Sequence, residues 1–207
     1  ATATAAKANP DQQFAIIDSD ANDDAGTPDD FADDVNLENV RALNFSTDEP
    51  SFIAGYLAAG MSETGKVATY GGINIPPVTI FMDGFANGVS YYNEQKSANI
   101  EVLGWDVEAQ DGSFAGNFEN LDDGKALASS FADEGADIIF PVAGPVGLGS
   151  SAYATENEGI RIIGVDNDLT VSNPNEAAVY LTSVLKKIDE AVYAAAEKVI
   201  VNGEAGG

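Results

Sequence analysis

The stretch KVATYGGINIPPVTIFMDGFANGVSYYNEQ, which runs from Lys66 to Gln95, decides the fold. Its first seven residues are predicted to form a strand that ends at two glycines. The glycine-rich turn leads into a segment that we predict to be a helix. A strand followed by a helix is the unit from which parallel sheets are built.

The same alternation of strand and helix continues on both sides of this stretch. QFAIID at 13–18 is a short apolar run, which is typical of a strand covered on both faces. Strands that alternate with helices of this length predict an α/β fold with a doubly wound parallel sheet. The other predicted strands are VRALNFS, NIEVLGW, ADIIFPV, IRIIGVD and AVYLTSV.

The sequence also predicts where several helices begin, end and pack. Thr47 is predicted to cap the helix in TDEPSFIAGYLAAGM, because a threonine oxygen accepts hydrogen bonds from the first helical turn. Gly135 is predicted to end the helix in NLDDGKALASSFADEG. The last helix, LKKIDEAVYAAAEKVI, is predicted to pack on the core through one apolar face. That face consists of Ile188, Val192, Ala195 and Val199.

The composition favours a binding protein over an enzyme. The 207 residues include neither histidine nor cysteine, so the commonest general base, zinc thiolates and disulfides are absent. The formal net charge is −25, from 34 acidic and 9 basic residues, whereas phosphate recognition needs Lys and Arg. Nucleic acids and anionic membranes are therefore not expected as partners. No apolar run is long enough to insert into a membrane, and no cofactor is predicted.

The excess of carboxylates predicts an acidic, solvated surface. Such a surface suits a salty environment, because the Debye length falls to about 3 Å at 1 M salt and self-repulsion is then screened. We interpret the composition as halophilic.

The segment after QFAIID is crowded with carboxylates. Asp18, Asp20 and Asn22 match three ligand positions of an EF-hand loop. However, Asp23 replaces the required glycine, Asp29 replaces the final glutamate, and a strand rather than a helix precedes the loop. We therefore predict no metal site and interpret most of the segment as solvated surface. Asp18 is either an acceptor for ligand hydroxyls or a turn residue.

Ligands of parallel sheets lie beyond the carboxyl ends of the strands, so the residues there are the candidates for a site. Asp166 and Asp168 lie at one strand end, and hydroxyl recognition by Asp166 is favoured over an acid–base pair because no nucleophile accompanies them. Phe114 and Phe118 either stack on a planar ligand or fold into the core. The turns GGINIPP and PVAGPVGLG allow close backbone approach but lack phosphate-binding spacing.

Six motifs follow one another along nearly the whole chain: AAKANPDQQFAIID, FIAGYLAAGMSETGKVATYGGINIPPVTIFMDGFANGVSYYN, IEVLGWD, FADEGADIIFPVAGPVGLG, IIGVDND and LTSVLKKIDEAVY. In this order they resemble the basic membrane protein (BMP) family of ABC-transporter substrate-binding lipoproteins, which includes purine nucleoside receptors. The resemblance implies a two-lobe, type I periplasmic-binding-protein-like fold in which each lobe is a doubly wound parallel sheet. Lobe one is expected to hold 1–44 and 181–207, and lobe two 45–180.

The function that the resemblance implies is that of an extracytoplasmic solute receptor of an ABC importer. Such a receptor is expected to bind a nucleoside, with a purine nucleoside favoured, between the lobes and to deliver it to a permease, and no catalytic residue is expected.

The resemblance also implies which residues bind the ligand. Asp18 and Asp166 are expected to accept hydrogen bonds from the ribose or the base. Phe118 is expected to stack on the base, with Phe114 as the alternative ring. Lys186 is expected to reach the site from the returning strand. Backbone groups are expected from two further residues, Gly144 and Val146.

The chain departs from the family at both ends. Relatives begin with a lipid-modified cysteine and a segment that carries an Asp-Asn pair and a second stacking ring, and they continue past the last helix. We therefore expect this sequence to be a fragment, with the lipid anchor outside it. Asn120 also stands where the family has Asp.

Two other functions stay open. A sensor of another sugar-bearing molecule would use the same two-lobe fold joined to a DNA-binding or signalling domain. A calcium-dependent nucleoside hydrolase would need a cluster of four aspartates, and the sequence lacks that motif as well as histidine.

Overall fold

The structure, a computed structural model, describes residues 1–20, 22–23 and 35–204. In chain order the elements are α1 (Thr2–Ala8), β1 (Phe14–Ile17), β2 (Asn22–Asp23), β3 (Val35–Asn36), β4 (Val40–Leu43), α2 (Asp48–Met61), β5 (Lys66–Gly71), α3 (Pro76–Lys96), β6 (Glu101–Leu103), β7 (Trp105–Asp106), β8 (Asp111–Gly112), α4 (Leu121–Asp133), β9 (Ile138–Val142), α5 (Gly147–Glu156), β10 (Arg161–Asp166), α6 (Leu169–Ser172), β11 (Tyr180–Leu185) and α7 (Ile188–Ala196).

The chain divides into two compact units. The smaller unit combines Ala1–Phe45 with Lys187–Gly207, and the larger unit is Ser46–Lys186. The sequence had placed the return to lobe one at Leu181. Instead, β11 pairs in parallel with β10 and is the edge strand of the larger unit's sheet, so 181–186 belong to the larger unit.

The smaller unit contains a two-stranded parallel sheet in which β1 pairs with β4, and β2 pairs antiparallel with β3. The Asn39 amide ties the turn after α1 to this sheet by donating to the carbonyls of Ala6, Asn9 and Gln12 at 3.0–3.2 Å. The prediction that β1 is covered on both faces is wrong. Its residues alternate between half-buried and exposed, and since successive side chains of a strand point to opposite faces, one face of β1 is open to solvent.

The larger unit contains a five-stranded parallel sheet with the strand order β11-β10-β9-β5-β6. Its inner strands are buried almost throughout, which agrees with the continuous apolar runs of their sequences. Side chains on one face of these strands join the core beneath α2 and α3, and side chains on the other face join the core beneath α4 and α5. The predicted α/β fold with a doubly wound parallel sheet is confirmed for this unit.

Helices α2 and α3 pack so closely that three glycines are required at their contact. A Cβ on Gly55 would lie 2.0 Å from the Phe85 carbonyl oxygen, and a Cβ on Gly88 would lie 2.0 Å from that of Phe52. At Gly84 the distance to the Asp48 carbonyl oxygen would be 2.3 Å. The glycines therefore let the two helix backbones touch.

The predicted strand NIEVLGW is interrupted at Gly104, where φ is +82° and a Cβ would lie 2.2 Å from the Thr69 carbonyl oxygen. Glycine tolerates both conditions, and the chain turns there from β6 into the short β7–β8 hairpin. This turn brings Trp105 into the core.

The predicted helix ends were partly right. Gly135 follows α4 with φ +99° and its amide donates to Ala132, as expected of a glycine that ends a helix. Thr47 does not cap α2, because its backbone is already helical and its side chain makes no capping bond. Helix α7 is shorter than predicted and passes into a single π-helical turn over Glu197–Val201, and Val192 on its predicted core face is exposed.

Candidate ligand site at the carboxyl edge of the larger sheet

Four strand ends of the larger unit lie at the carboxyl-terminal edge of its sheet. They are, across the sheet, Lys186 after β11, Asp166 at the end of β10, Gly144 beyond β9 and Gly71 at the end of β5. Backbone bonds of 3.0 Å join neighbouring ends, from the Lys186 amide to the Asp166 carbonyl and from the Gly72 amide to the Val142 carbonyl. The parallel fold therefore gathers residues that are far apart in sequence.

Asp166 lies in a strained turn. Its φ is +66°, and the Asn167 amide donates to the Val165 carbonyl at 2.8 Å, which closes a three-residue γ-turn around it. A γ-turn with positive φ is rare, and Asp is among the few residues other than Gly that tolerate such a φ. Backbone strain of this kind concentrates at functional sites, which supports Asp166 as a ligand-binding residue.

Asp168 has a structural role instead. Its carboxylate caps α6 by accepting from the Thr170 amide at 3.0 Å and from the Thr170 hydroxyl at 2.6 Å. The interpretation of Asp166 and Asp168 as an acid–base pair is therefore not favoured.

Lys186 is almost fully buried, with 6% of its surface exposed. Its ammonium group lies 5.7 Å from the centre of the Phe81 ring, within the range of a cation–π interaction. Phe81 projects from α3 and is itself buried. The ring therefore supports the cation at the strand end, a role that the sequence did not predict because Phe81 and Lys186 are far apart along the chain.

The two predicted aromatic rings lie over the two glycines that end β5. A Cβ on Gly71 would lie 2.6 Å from the Phe114 ring, and a Cβ on Gly72 would lie 2.2 Å from the Phe118 ring. Both rings are half-buried against the core. The two glycines of the turn GGINIPP are therefore in contact with Phe114 and Phe118, and both phenylalanines stay partly exposed to solvent.

The loop that carries the rings is held by side-chain hydrogen bonds. The Asn117 amide donates to the Asp123 carboxylate at 2.8 Å, and Asn120 donates to the same oxygen at 2.9 Å. The Asn120 oxygen also accepts from the Asp122 amide and caps α4. Asn120 therefore has a structural role, because it holds this loop and caps α4.

Trp105 connects the ring loop to α3. Its indole nitrogen donates to the Asp83 carboxylate at 2.9 Å, and Gln110 donates to the same oxygen at 2.9 Å. The indole meets the Phe114 ring edge-on, with 6.0 Å between ring centres. Trp105, which is itself held by Asp83, therefore helps to fix the position of the Phe114 ring.

Gly144 and Val146 differ in what they offer. Gly144 has φ +53°, and a Cβ on it would meet no atom within 4 Å, so its backbone faces open space. Val146 is fully buried, its amide donates to Ala143, and its carbonyl lies against Gly124. Gly144 stays a candidate lining residue, whereas Val146 is better described as part of the core.

Asp18 belongs to the smaller unit. It directly follows β1, has φ +59°, and its amide donates to the Leu43 carbonyl at 3.1 Å. The two predicted aspartates thus both have positive φ at a strand end: Asp166 is the last residue of β10, and Asp18 directly follows β1. The remaining EF-hand positions lie mainly in 24–34, outside the described residues, and the described residues contain no group of three or more carboxylates that would hold a metal ion.

Buried hydroxyl groups secure the far side of the site. A hydrogen bond of 2.8 Å joins the hydroxyls of Tyr70 and Ser150, and Ser150 donates to the Gly124 carbonyl at 3.0 Å, which joins β5, α5 and α4. Burial raises the pKa of the Tyr70 phenol above its usual range, and the hydrogen bond with Ser150 partly opposes this.

A groove of about 550 Å³ lies at the opposite, amino-terminal edge of the same sheet. Its lining includes Asp137, whose buried carboxylate accepts from the Ser62 hydroxyl at 2.7 Å and the Thr64 amide at 3.1 Å. These bonds tie the turn after α2 to β9. We assign no ligand to this groove, because ligands of parallel sheets bind at the carboxyl ends.

Comparison with known proteins places the chain in a family. The profile of the Bmp family, described as ABC transporter substrate-binding protein PnrA-like, matches residues 1–207. Basic membrane protein D of Borreliella burgdorferi is 33% identical over 167 residues, which are 80% of this chain and 45% of that protein. The chain spans about half the length of the curated relatives it matches.

Solved structures share the fold. An ABC transporter solute-binding protein from Aeropyrum pernix has a TM-score of 0.77 and 25% identity, over 99% of this chain and 52% of that one. A transcriptional activator of the comK gene from Bacillus halodurans has a TM-score of 0.73 and 20% identity, over 99% of this chain and 60% of that one. The type I periplasmic-binding-protein-like fold is confirmed. Within the described part of the chain, no helix combines the length and apolarity of a membrane span.

Proposed function

Since the chain belongs to the Bmp family of PnrA-like ABC transporter substrate-binding proteins, we propose that it is part of an extracytoplasmic receptor that binds a nucleoside, with a purine nucleoside as the preferred ligand. An ABC permease is the proposed acceptor of that ligand, and a lipid anchor outside this sequence is the proposed attachment. The fold alone does not decide the function, because a transcriptional activator has it too.

The observation that carries the proposal is the combination of aromatic and charged groups at one sheet edge. Phe118 and Phe114 are half-buried rings with exposed surface, which suits stacking on a planar base. Asp166 provides a carboxylate that can accept hydrogen bonds from ribose hydroxyls. Asp18, which also has a positive φ directly after a parallel strand, is the smaller unit's candidate for accepting hydrogen bonds from hydroxyls.

Lys186 provides a hydrogen-bond donor, which ionised carboxylates and phenyl rings lack. An ammonium group donates hydrogen bonds and never accepts them, so it pairs with carbonyl or ring nitrogen acceptors of a base, or with ribose oxygens. A ligand with both donors and acceptors is therefore favoured over a purely cationic one. The net charge of −25 further disfavours phosphorylated nucleosides.

Intrinsic fluorescence tests the proposal, because Trp105 is the only tryptophan of the chain and its ring contacts Phe114. Adenosine, guanosine, inosine, cytidine and ribose would be titrated separately in high salt. A saturable change with purine nucleosides, and a much weaker one with ribose, is the expected result. A flat response to all five, from protein shown by circular dichroism to be folded, would remove the nucleoside assignment.

A further inference from the structure

The turn after β5 begins with two glycines whose backbone conformation does not require glycine. The φ angles of Gly71 and Gly72 lie outside the left-handed region, so conformational freedom does not explain these residues. The space around them does. A Cβ on Gly72 would lie 2.2 Å from the Phe118 ring, whereas carbon atoms in contact are ordinarily about 3.5–4.0 Å apart. A Cβ on Gly71 would meet Val78 as well as a ring, so Gly72 is the position where one ring accounts for the closest contacts.

The backbone around Gly72 is held on both sides by hydrogen bonds. Its amide donates to the Val142 carbonyl of β9 at 3.0 Å, and its carbonyl accepts from the Gly116 amide at 2.8 Å. Gly116 belongs to the ring loop, residues 113–120, which carries both aromatic rings. Gly71 forms two further backbone bonds with the same loop, at 3.0 and 2.9 Å. A methyl group on residue 72 is therefore not relieved by a shift of the turn unless these bonds break.

The ring loop is fixed beside Phe118 as well. The Asn117 side chain donates to the Asp123 carboxylate at 2.8 Å and accepts from two backbone amides of the loop at 3.0 and 2.8 Å. The Phe118 side chain is then the part of the contact that moves most easily, because rotation about its side-chain bonds breaks no hydrogen bond.

We propose that Gly72 is a positioning residue, which sets the place of the Phe118 ring by leaving room for it at the end of β5. The inference rests on the proposed function, in which this ring stacks on a purine base. An added Cβ at 2.2 Å is relieved when the ring moves by about 1 Å or more. Binding groups have to stay within about 0.5 Å of their productive position, so such a shift weakens stacking.

A crystal structure of Gly72→Ala without ligand tests the positioning independently of any nucleoside. The Phe118 ring is expected to lie about 1 Å or more from its wild-type place, with the backbone bonds of residue 72 intact. A ring that stays in place while the turn moves would overturn the proposal. If Gly72→Ala does not fold, adding Phe118→Ala is expected to restore folding, and a double variant that also stays unfolded would overturn it.

A double-mutant cycle tests the consequence for binding. Gly72→Ala is expected to weaken purine nucleoside binding at least about tenfold in the wild type and less than about twofold in Phe118→Ala, because residues that act through one contact are not additive. Gly60→Ala is the matched control and is expected to bind normally, since it places a methyl group 3.2 Å from a different ring, that of Tyr92.

The outcomes separate this proposal from the proposed function. Full affinity in Gly72→Ala, or equal weakening in both backgrounds, would overturn the role of Gly72. A wild type that binds no nucleoside would refute the proposed function, whereas the place of the ring in the Gly72→Ala crystal structure decides by itself whether Gly72 positions Phe118.

Discussion

At the scale of single residues, the two candidate aspartates have a backbone that few residues other than glycine adopt. Asp18 and Asp166 both have positive φ at the end of a parallel strand, and Asp166 is enclosed in a γ-turn. The sequence identified them by their position after an apolar run. It could not show the strain, because φ depends on how the following segment returns to the sheet.

We predict that Asp166→Asn weakens nucleoside binding at least tenfold, or about 1.4 kcal/mol, with little change in melting temperature. Asn tolerates positive φ as Asp does, so the change removes the charge and keeps the turn. Calorimetric titration and thermal unfolding measure the two effects separately.

Asp168→Ala is the matched control, because it removes the cap of α6. It is expected to cost about 1 kcal/mol of stability and to leave affinity unchanged. If Asp166→Asn bound the nucleoside normally, Asp166 would have no role in the site.

Tyr70 gives the protein a specific alkaline sensitivity. Its pKa in the folded state is raised by burial, so the unfolded chain loses the phenolic proton first as pH rises above about 10. The stability from this group is thus complete below pH 10 and declines above it, by up to about 1.4 kcal/mol per pH unit.

Urea unfolding of the wild type and Tyr70→Phe at pH 8 and pH 11 tests this. At pH 8 the variant is expected to lose about 1 kcal/mol, the worth of one buried hydrogen bond. At pH 11 the difference in unfolding free energy between the wild type and the variant is expected to shrink or reverse, since Phe does not ionise. A gap that is the same at both pH values would show that Tyr70 does not titrate on unfolding.

At the scale of elements, the contact between α2 and α3 depends on the absence of side chains. We predict that Gly88→Ala destabilises the protein by about 2 kcal/mol, because a methyl group would overlap the Phe52 carbonyl, although alanine favours helices by about 1 kcal/mol. Chemical denaturation measures the difference.

Gly60→Ala is the control on the same pair of helices. Its Cβ would meet only the Tyr92 ring, at 3.2 Å, and that side chain can move. It is expected to be neutral or stabilising. Equal destabilisation by the two variants would contradict the proposed close contact.

The sequence predicted the elements well where periodicity was strong. The alternation of apolar strands and helices was sufficient to predict the parallel sheet of the larger unit. Buried strands and amphipathic helices each have a recognisable hydrophobic pattern within a short stretch of sequence. It failed where a distant contact decides the outcome. The break at Gly104 depends on the Thr69 carbonyl, and the course of the chain after Leu181 depends on pairing with β10.

The residues of the candidate site were also predictable from the sequence only in part. Strand ends and rings were found from the sequence, because their positions follow from the parallel sheet. The supports were missed. Phe81 beneath Lys186 and Asp83 beside Trp105 are distant in sequence from their partners, and no local pattern marks them.

At the scale of the whole molecule, charge is the dominant feature. A net charge of −25 makes the folded state repel itself, and this repulsion falls as salt shortens the Debye length from about 10 Å at 0.1 M to about 3 Å at 1 M. We predict that the melting temperature rises with KCl between 0.1 and 1 M, with most of the increase at the low end. Calorimetric scans at equal protein concentration measure it, and a melting temperature that is constant or falls with KCl would refute the halophilic interpretation.

The measurement that tests the central claim most directly is isothermal titration of the protein with purine nucleosides in 2 M KCl, for the wild type and Phe118→Ala. Stacking of a base on an aromatic ring contributes about 1–3 kcal/mol. We predict that the wild type binds a purine nucleoside with one site and that Phe118→Ala binds it at least tenfold more weakly while staying folded. A folded wild type that takes up no nucleoside, or a Phe118→Ala variant with undiminished affinity, would contradict a nucleoside site built on this ring.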